Sequence, residues 1–95
     1  MSEKSVYIDK LKAQLDVWAA EIDKLEAKAN MAGADARIEL ERRIKDLRSQ
    51  QDSTKSRIAE LENASEDAWE DLKEGVEKAW NSFRKGLDEA TSRFK

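Results

Sequence analysis

The sequence predicts an all-α protein, and three observations carry that expectation. The 95 residues include no proline and only three glycines. A chain this poor in the residues that end or weaken helices can stay helical almost throughout. Apolar residues recur in steps of three and four, the spacing that gathers them on one stripe of a helix. Charged residues make up 41% of the chain, and with Ala and Leu they give the composition of a coiled coil or long amphipathic helix. Three amphipathic helices are expected, over about 3–30, 35–62 and 65–94, within a single helical domain spanning 1–95.

The first segment carries Ile8, Leu11, Leu15, Trp18, Ile22, Leu25 and Ala29, an unbroken heptad seam with Trp18 inside it. Lys, Asp, Glu and Gln, with some Ala, fill the positions between, as a solvent face requires. Large residues stop over residues 30–35. There Gly33 is expected to take a left-handed conformation and close the helix, with Asp35 capping the next one.

The second segment carries Ile38, Leu40, Ile44, Leu47, Ile58 and Leu61, but its seam is polar at Gln51 and Thr54. Folding back at Gly33 sets Leu25 near Leu40, Ile22 near Ile44, Trp18 near Leu47 and Ile8 near Ile58, which favours a helical hairpin. The alternative is one long helix over the first two segments in an intermolecular coiled coil, because a lone Gly costs a helix only about 1 kcal/mol. A third helix restarts at Ser65, a good N-cap, with Glu66 and Asp67 at the positive end of its dipole. Asn63 is the alternative cap, with Glu66 completing a capping box.

The third segment contains an eleven-residue repeat. Ala68 and Trp69 recur as Ala79 and Trp80, Leu72 as Phe83, Gly75 as Gly86, and Val76 as Leu87, and a truncated copy ends at Phe94 and Lys95. Eleven residues over three turns keep the stripe nearly straight. Ala68, Gly75, Ala79 and Gly86 fall on a small flank, Trp69, Val76, Trp80 and Leu87 on a bulky one, with Leu72, Phe83 and Phe94 between. A small flank admits a close neighbouring helix, and the tryptophans cover the contact from the side. Trp18, Trp69, Leu72, Val76, Trp80, Phe83, Leu87 and Phe94 are the candidate packing and interaction residues. For Trp69 and Trp80, anchoring in a lipid headgroup layer is the alternative to a place in the core.

Residues 64–95, most of all Ser65-Glu66-Asp67-Ala68-Trp69-Glu70-Asp71-Leu72-Lys73, resemble a family of short bacterial coiled-coil stress-response proteins. The stretch Tyr7-Ile8-Asp9-Lys10-Leu11-Lys12-Ala13-Gln14-Leu15 is similar to the same family, and Gly33 departs from its Ala/Lys/Glu-rich pattern. The resemblance implies a connection to stress and no known active site. The repeat period alone is also similar to those of late-embryogenesis-abundant proteins and exchangeable apolipoproteins.

Eighteen basic and twenty-one acidic residues leave a net charge of −3, spread so evenly that no segment has the basic excess that draws a protein to nucleic acid. There is no His and no Cys, which removes the commonest general base, the strongest nucleophile and most zinc ligands. Acidic pairs such as Glu66/Asp67 read as solvated charges on helix faces, and Glu39/Arg43, Glu41/Lys45 and Glu74/Lys78 as ion pairs one turn apart. No catalytic residue, cofactor or metal is expected. The polar N-terminus and the lack of a ~20-residue apolar run point to a cytoplasmic protein. The large apolar residues are too few for a deep core, so a homo-oligomer is expected, with a dimer favoured, or packing on another helical protein.

Overall fold

The computed structural model describes residues 3–93 and forms three α-helices: α1 (Glu3–Met31), α2 (Ala34–Asn63) and α3 (Trp69–Arg93). They run up, down and up in a bundle of 51 × 20 × 18 Å. The chain thus folds back at Gly33 as a hairpin and is not one long helix.

Each helix buries a seam in steps of four and three, the knobs-into-holes spacing of a left-handed bundle. On α1 the seam is Ile8, Leu11, Leu15, Trp18, Ile22, Leu25 and Ala29, all buried except the partly covered Trp18. On α2 it is Leu40, Ile44, Leu47, Gln51, Thr54, Ile58 and Leu61, all buried, the two polar residues included. Thr54 Oγ1 donates 2.8 Å to the carbonyl of Gln50 one turn back, and Arg48 Nη1 donates to Gln51 Oε1 at 3.3 Å. Both polar groups in the seam therefore have partners, which lowers the cost of burying them.

The α3 seam follows the same heptad: Trp69, Lys73, Val76, Trp80, Phe83, Leu87 and Ala90. This corrects the straight eleven-residue stripe. Two heptad seams already face α3, and a third helix packs against them only where its own period matches. Leu72 falls one residue off this line and is 37% exposed, although the repeat placed it mid-stripe. Ile38 is displaced likewise: the α2 seam begins at Leu40, and Ile38 points outward at 59% exposure.

The small flank of α3 does face a neighbour. A Cβ on Gly86 would stand 3.2 Å from Gln50 Oε1 and 3.5 Å from Leu47 Cδ2, and one on Gly75 would stand 3.3 Å from Arg57 Nη1. These contacts mark the line where α2 and α3 approach closely. Arg43 pairs with Glu89 across it at 3.8 Å, and Glu39 pairs with Arg93. The expected in-helix pairs are largely replaced: only Glu74–Lys78 forms, at 3.8 Å, while Glu41 takes Arg37 at 3.0 Å.

The two turns are built differently. Gly33 is the N-cap of α2 in extended conformation, φ −66° and ψ 165°, and no described glycine has a positive φ. Its carbonyl accepts the N–H of Arg37 at 2.8 Å, and Asp35 lies in the first turn. The left-handed closure by Gly33 and the Asp35 cap are therefore both corrected, because the helix restarts one residue after the glycine. In the second turn the Ser65 Oγ accepts the N–H of Ala68 at 3.1 Å and so caps the turn over 66–68. The helix α3 itself begins at Trp69, four residues later than the restart expected at Ser65. Asn63 is the last residue of α2 instead.

Gly33 carries no side-chain cap, and a Cβ there would meet nothing within 4 Å. Gly33→Ser supplies a capping oxygen and restricts the unfolded chain, so it is expected to stabilise the protein by about 0.5–1 kcal/mol. A urea midpoint equal to or below that of the parent would contradict this.

Candidate functional site

The parallel helices α1 and α3 are joined mainly by rings. Trp18 stacks on Trp80 with centroids 4.5 Å apart and planes at 35°, and it meets Phe83 edge-on at 5.3 Å and 79°. Eleven residues earlier on both helices, Tyr7 meets Trp69 at 6.0 Å. Lys73 sits at the seam step between Trp69 and Val76, with its Nζ 5.0 Å from the Tyr7 centroid and 5.6 Å from the Trp69 centroid. An ammonium over two ring faces is attracted by both quadrupoles. This explains how a lysine stands in an apolar seam.

Of the expected packing residues, Trp69, Val76, Phe83 and Leu87 are buried, Trp18 and Trp80 are partly covered against the core, and Leu72 is exposed. Phe94 lies outside the described residues. Tyr7 was not among the expected residues. It lies one residue before Ile8, beside the seam, where periodicity assigns it to a flank.

The Tyr7 hydroxyl donates to Glu77 Oε1 at 3.4 Å. Burial, then the Glu77 charge and this hydrogen bond, raise the phenol above its ordinary pKa. A raised pKa in the folded state adds stability that is present below about pH 10, the unfolded value, and is lost as pH rises through the folded one. Tyr7 is the only tyrosine, so phenolate absorbance reports it alone. The expected midpoint lies above that of the urea-unfolded chain, and Tyr7→Phe removes this part of the alkaline loss. Coincident midpoints would contradict the assignment.

The densest polar cluster belongs to the α1–α2 contact. Arg48 Nη2 reaches Asp23 Oδ1 at 2.7 Å and Glu26 Oε1 at 2.8 Å, and Nε also donates to Glu26 at 3.2 Å. Helix side chains lean toward their own N-terminus. Arg48 therefore leans toward the turn and the two carboxylates lean away from it, which lets groups more than a turn apart in level meet. The two acids hold the guanidinium pKa above its ordinary value. At the other end Lys12 pairs with Glu62 at 2.9 Å, and Lys4 donates to the Ala64 carbonyl at 2.6 Å. These contacts join α1 to α2 at both ends of the hairpin, beside the apolar seams that set its register. An open groove of about 340 Å³ is lined by Lys12, Asp16, Lys55 and Glu62, with the buried Leu15 and Ile58 at its floor. Among the described residues no cluster of three or more Asp or Glu is arranged to hold a metal ion.

One surface was missed by the sequence reading. Two residues past each seam position lies the outward line of each helix. On α2 this line is Arg42, Asp46, Ser49, Ser53, Ser56, Glu60 and Asn63, and on α3 the same offset gives Asp71, Gly75, Lys78, Ser82, Lys85, Glu89 and Ser92, of which Gly75 and Glu89 turn toward α2. On α1 it is Lys10, Ala13, Val17, Ala20, Lys24, Ala27 and Met31, continued backwards by Val6. All eight are exposed, with Val17 at 55% and Met31 at 83%. The signal in the sequence is the group Val6, Ala13, Val17, Ala20, Ala27 and Met31, which shares this line with Lys10 and Lys24. It went unread because alanines between charges pass for ordinary helix filler.

No described helix is long and apolar enough to cross a membrane. No protein-family model, curated protein or solved structure matches the chain.

Proposed function

We propose that this is a non-enzymatic helical interaction protein, acting by self-association or by packing against a partner helix. The observation that carries the reading is the outward line of α1, apolar at six of its eight positions. An interior seam is required by the fold itself, whereas a second one on the opposite face of the same helix is not. Scattered apolar residues on a surface are ordinary, but an aligned row suits a contact. The resemblance to the short bacterial stress-response family supports a role in stress.

The second reading is a stress-induced binder that shields membranes or unfolding proteins with α3. It is favoured by the one-sided distribution of apolar residues on α3 and by the exposed Leu72. It requires α3 to leave the bundle, since Trp69 and Trp80 otherwise face α1. Light scattering from about 5 to 500 µM tests the first reading, a range chosen to span the roughly micromolar affinities expected of small interfaces. Under the self-association form of the proposal, the mass rises above 10.9 kDa with concentration. A constant 10.9 kDa throughout removes that form.

A further inference from the structure

We infer that the outward face of α1 is the contact between two copies of this chain, packed antiparallel about a twofold axis near the level of Trp18 and Ala19. The inference rests on the self-association reading and names its surface and geometry. Along this face a longer side chain alternates with alanine: Lys10, Ala13, Val17, Ala20, Lys24, Ala27, Met31. Laid against its own reverse, the row places Lys10 over Ala27 of the second copy, Val17 over Ala20, Lys24 over Ala13, and Met31 over Val6. Three of these four kinds of layer match a long side chain with an alanine. The interhelical spacing therefore stays even and the alanines leave no void.

A parallel pair fails on the same residues. It stacks Lys10 on Lys10 and Lys24 on Lys24, with hollow alanine layers between them. The antiparallel register separates the lysines and supplies opposite charge. Lys24 lies over an alanine whose neighbours four before and three after are Asp9 and Asp16.

The area is sufficient. From Val6 to Met31 the face is about 38 Å long at 1.5 Å per residue, and half the perimeter of a helix with side chains is about 17 Å. The pair would cover about 600 Å² on each copy, or about 1,200 Å² in total, the lower end of the range for specific complexes. Such a dimer is reversible. The outward lines of α2 and α3 carry no comparable row.

Two measurements test this. The first is light scattering of the parent beside Ala20→Glu and Ser49→Glu, both at exposed helix positions that leave the core untouched. The expected result is a mass of about twice 10.9 kDa for the parent and Ser49→Glu, and 10.9 kDa for Ala20→Glu with unchanged circular dichroism. If Ala20→Glu stays dimeric, the face is wrong while self-association stands. If the parent is monomeric, both fall.

The second uses the absence of native cysteine. Lys10→Cys and Ala27→Cys chains are oxidised separately and as a mixture. The antiparallel contact gives a disulfide-linked dimer only in the mixture. Efficient cross-linking of either variant alone means a parallel pair and overturns the register.

Discussion

Phe83→Ala is expected to destabilise the protein by about 3–5 kcal/mol, the range for emptying a buried phenylalanine site. Phe83 has no exposed surface and is the largest fully buried side chain. It sits edge-on to Trp18 of α1, on a helix that packs along α2. The cavity would thus open where the three seams converge, and rigid helices collapse poorly into such a space. A small domain has a total stability near the low end of about 5–15 kcal/mol. The variant is therefore expected to lose more than about 12 °C of melting temperature, at roughly 4 °C or more for each kcal/mol. Thermal circular dichroism measures this. A shift of only a few degrees would mean that the Phe83 ring is not part of the core in solution.

Trp69→Ala and Trp80→Ala are expected to differ from each other, and the difference separates the two functional readings. Trp69 is 5% exposed, so its removal is expected to cost about 3–5 kcal/mol. Trp80 is only partly covered and leans on Trp18. Its loss removes one ring contact, about 0.5–1.5 kcal/mol, plus the smaller area it buries. If the tryptophans are instead lipid anchors, both variants keep the parent melting curve and lose vesicle binding. Residues 64–95 hold six basic and eight acidic side chains, so any vesicle binding should depend little on the anionic lipid fraction. Melting curves and vesicle co-sedimentation of both variants, side by side, decide the matter. Unchanged melting with lost co-sedimentation would overturn the packing reading and favour the surface binder.

Much of the architecture was legible because periodicity is a local property of the chain. Ile8 through Ala29 read as a seam and are one, and the breaks near Gly33 and Ser65 stand where composition put them. Gln51 and Thr54, flagged as polar at seam positions, are buried there with partners. The errors fall where two periods competed for the same residues. Eleven-residue and heptad spacing both run through Trp69, Val76, Trp80, Phe83 and Leu87, and they part at Leu72. Only the two facing heptad seams choose between them. The same holds at Gly33, where sequence marks a turn but the direction of the returning helix sets the backbone angles.

The sequence by itself determined the helices, their approximate ends and which apolar residues belong to a stripe, since these follow from propensity and spacing within each segment. Only the tertiary structure decided how the third helix is registered: Leu72 falls off the α3 line and is 37% exposed because the two seams facing it repeat every seven residues. It also decided that Tyr7 and Lys73 join the α1–α3 contact and that Arg48 clamps Asp23 and Glu26. These pairings connect residues more than twenty positions apart, and no spacing within one helix encodes the direction from which another helix arrives.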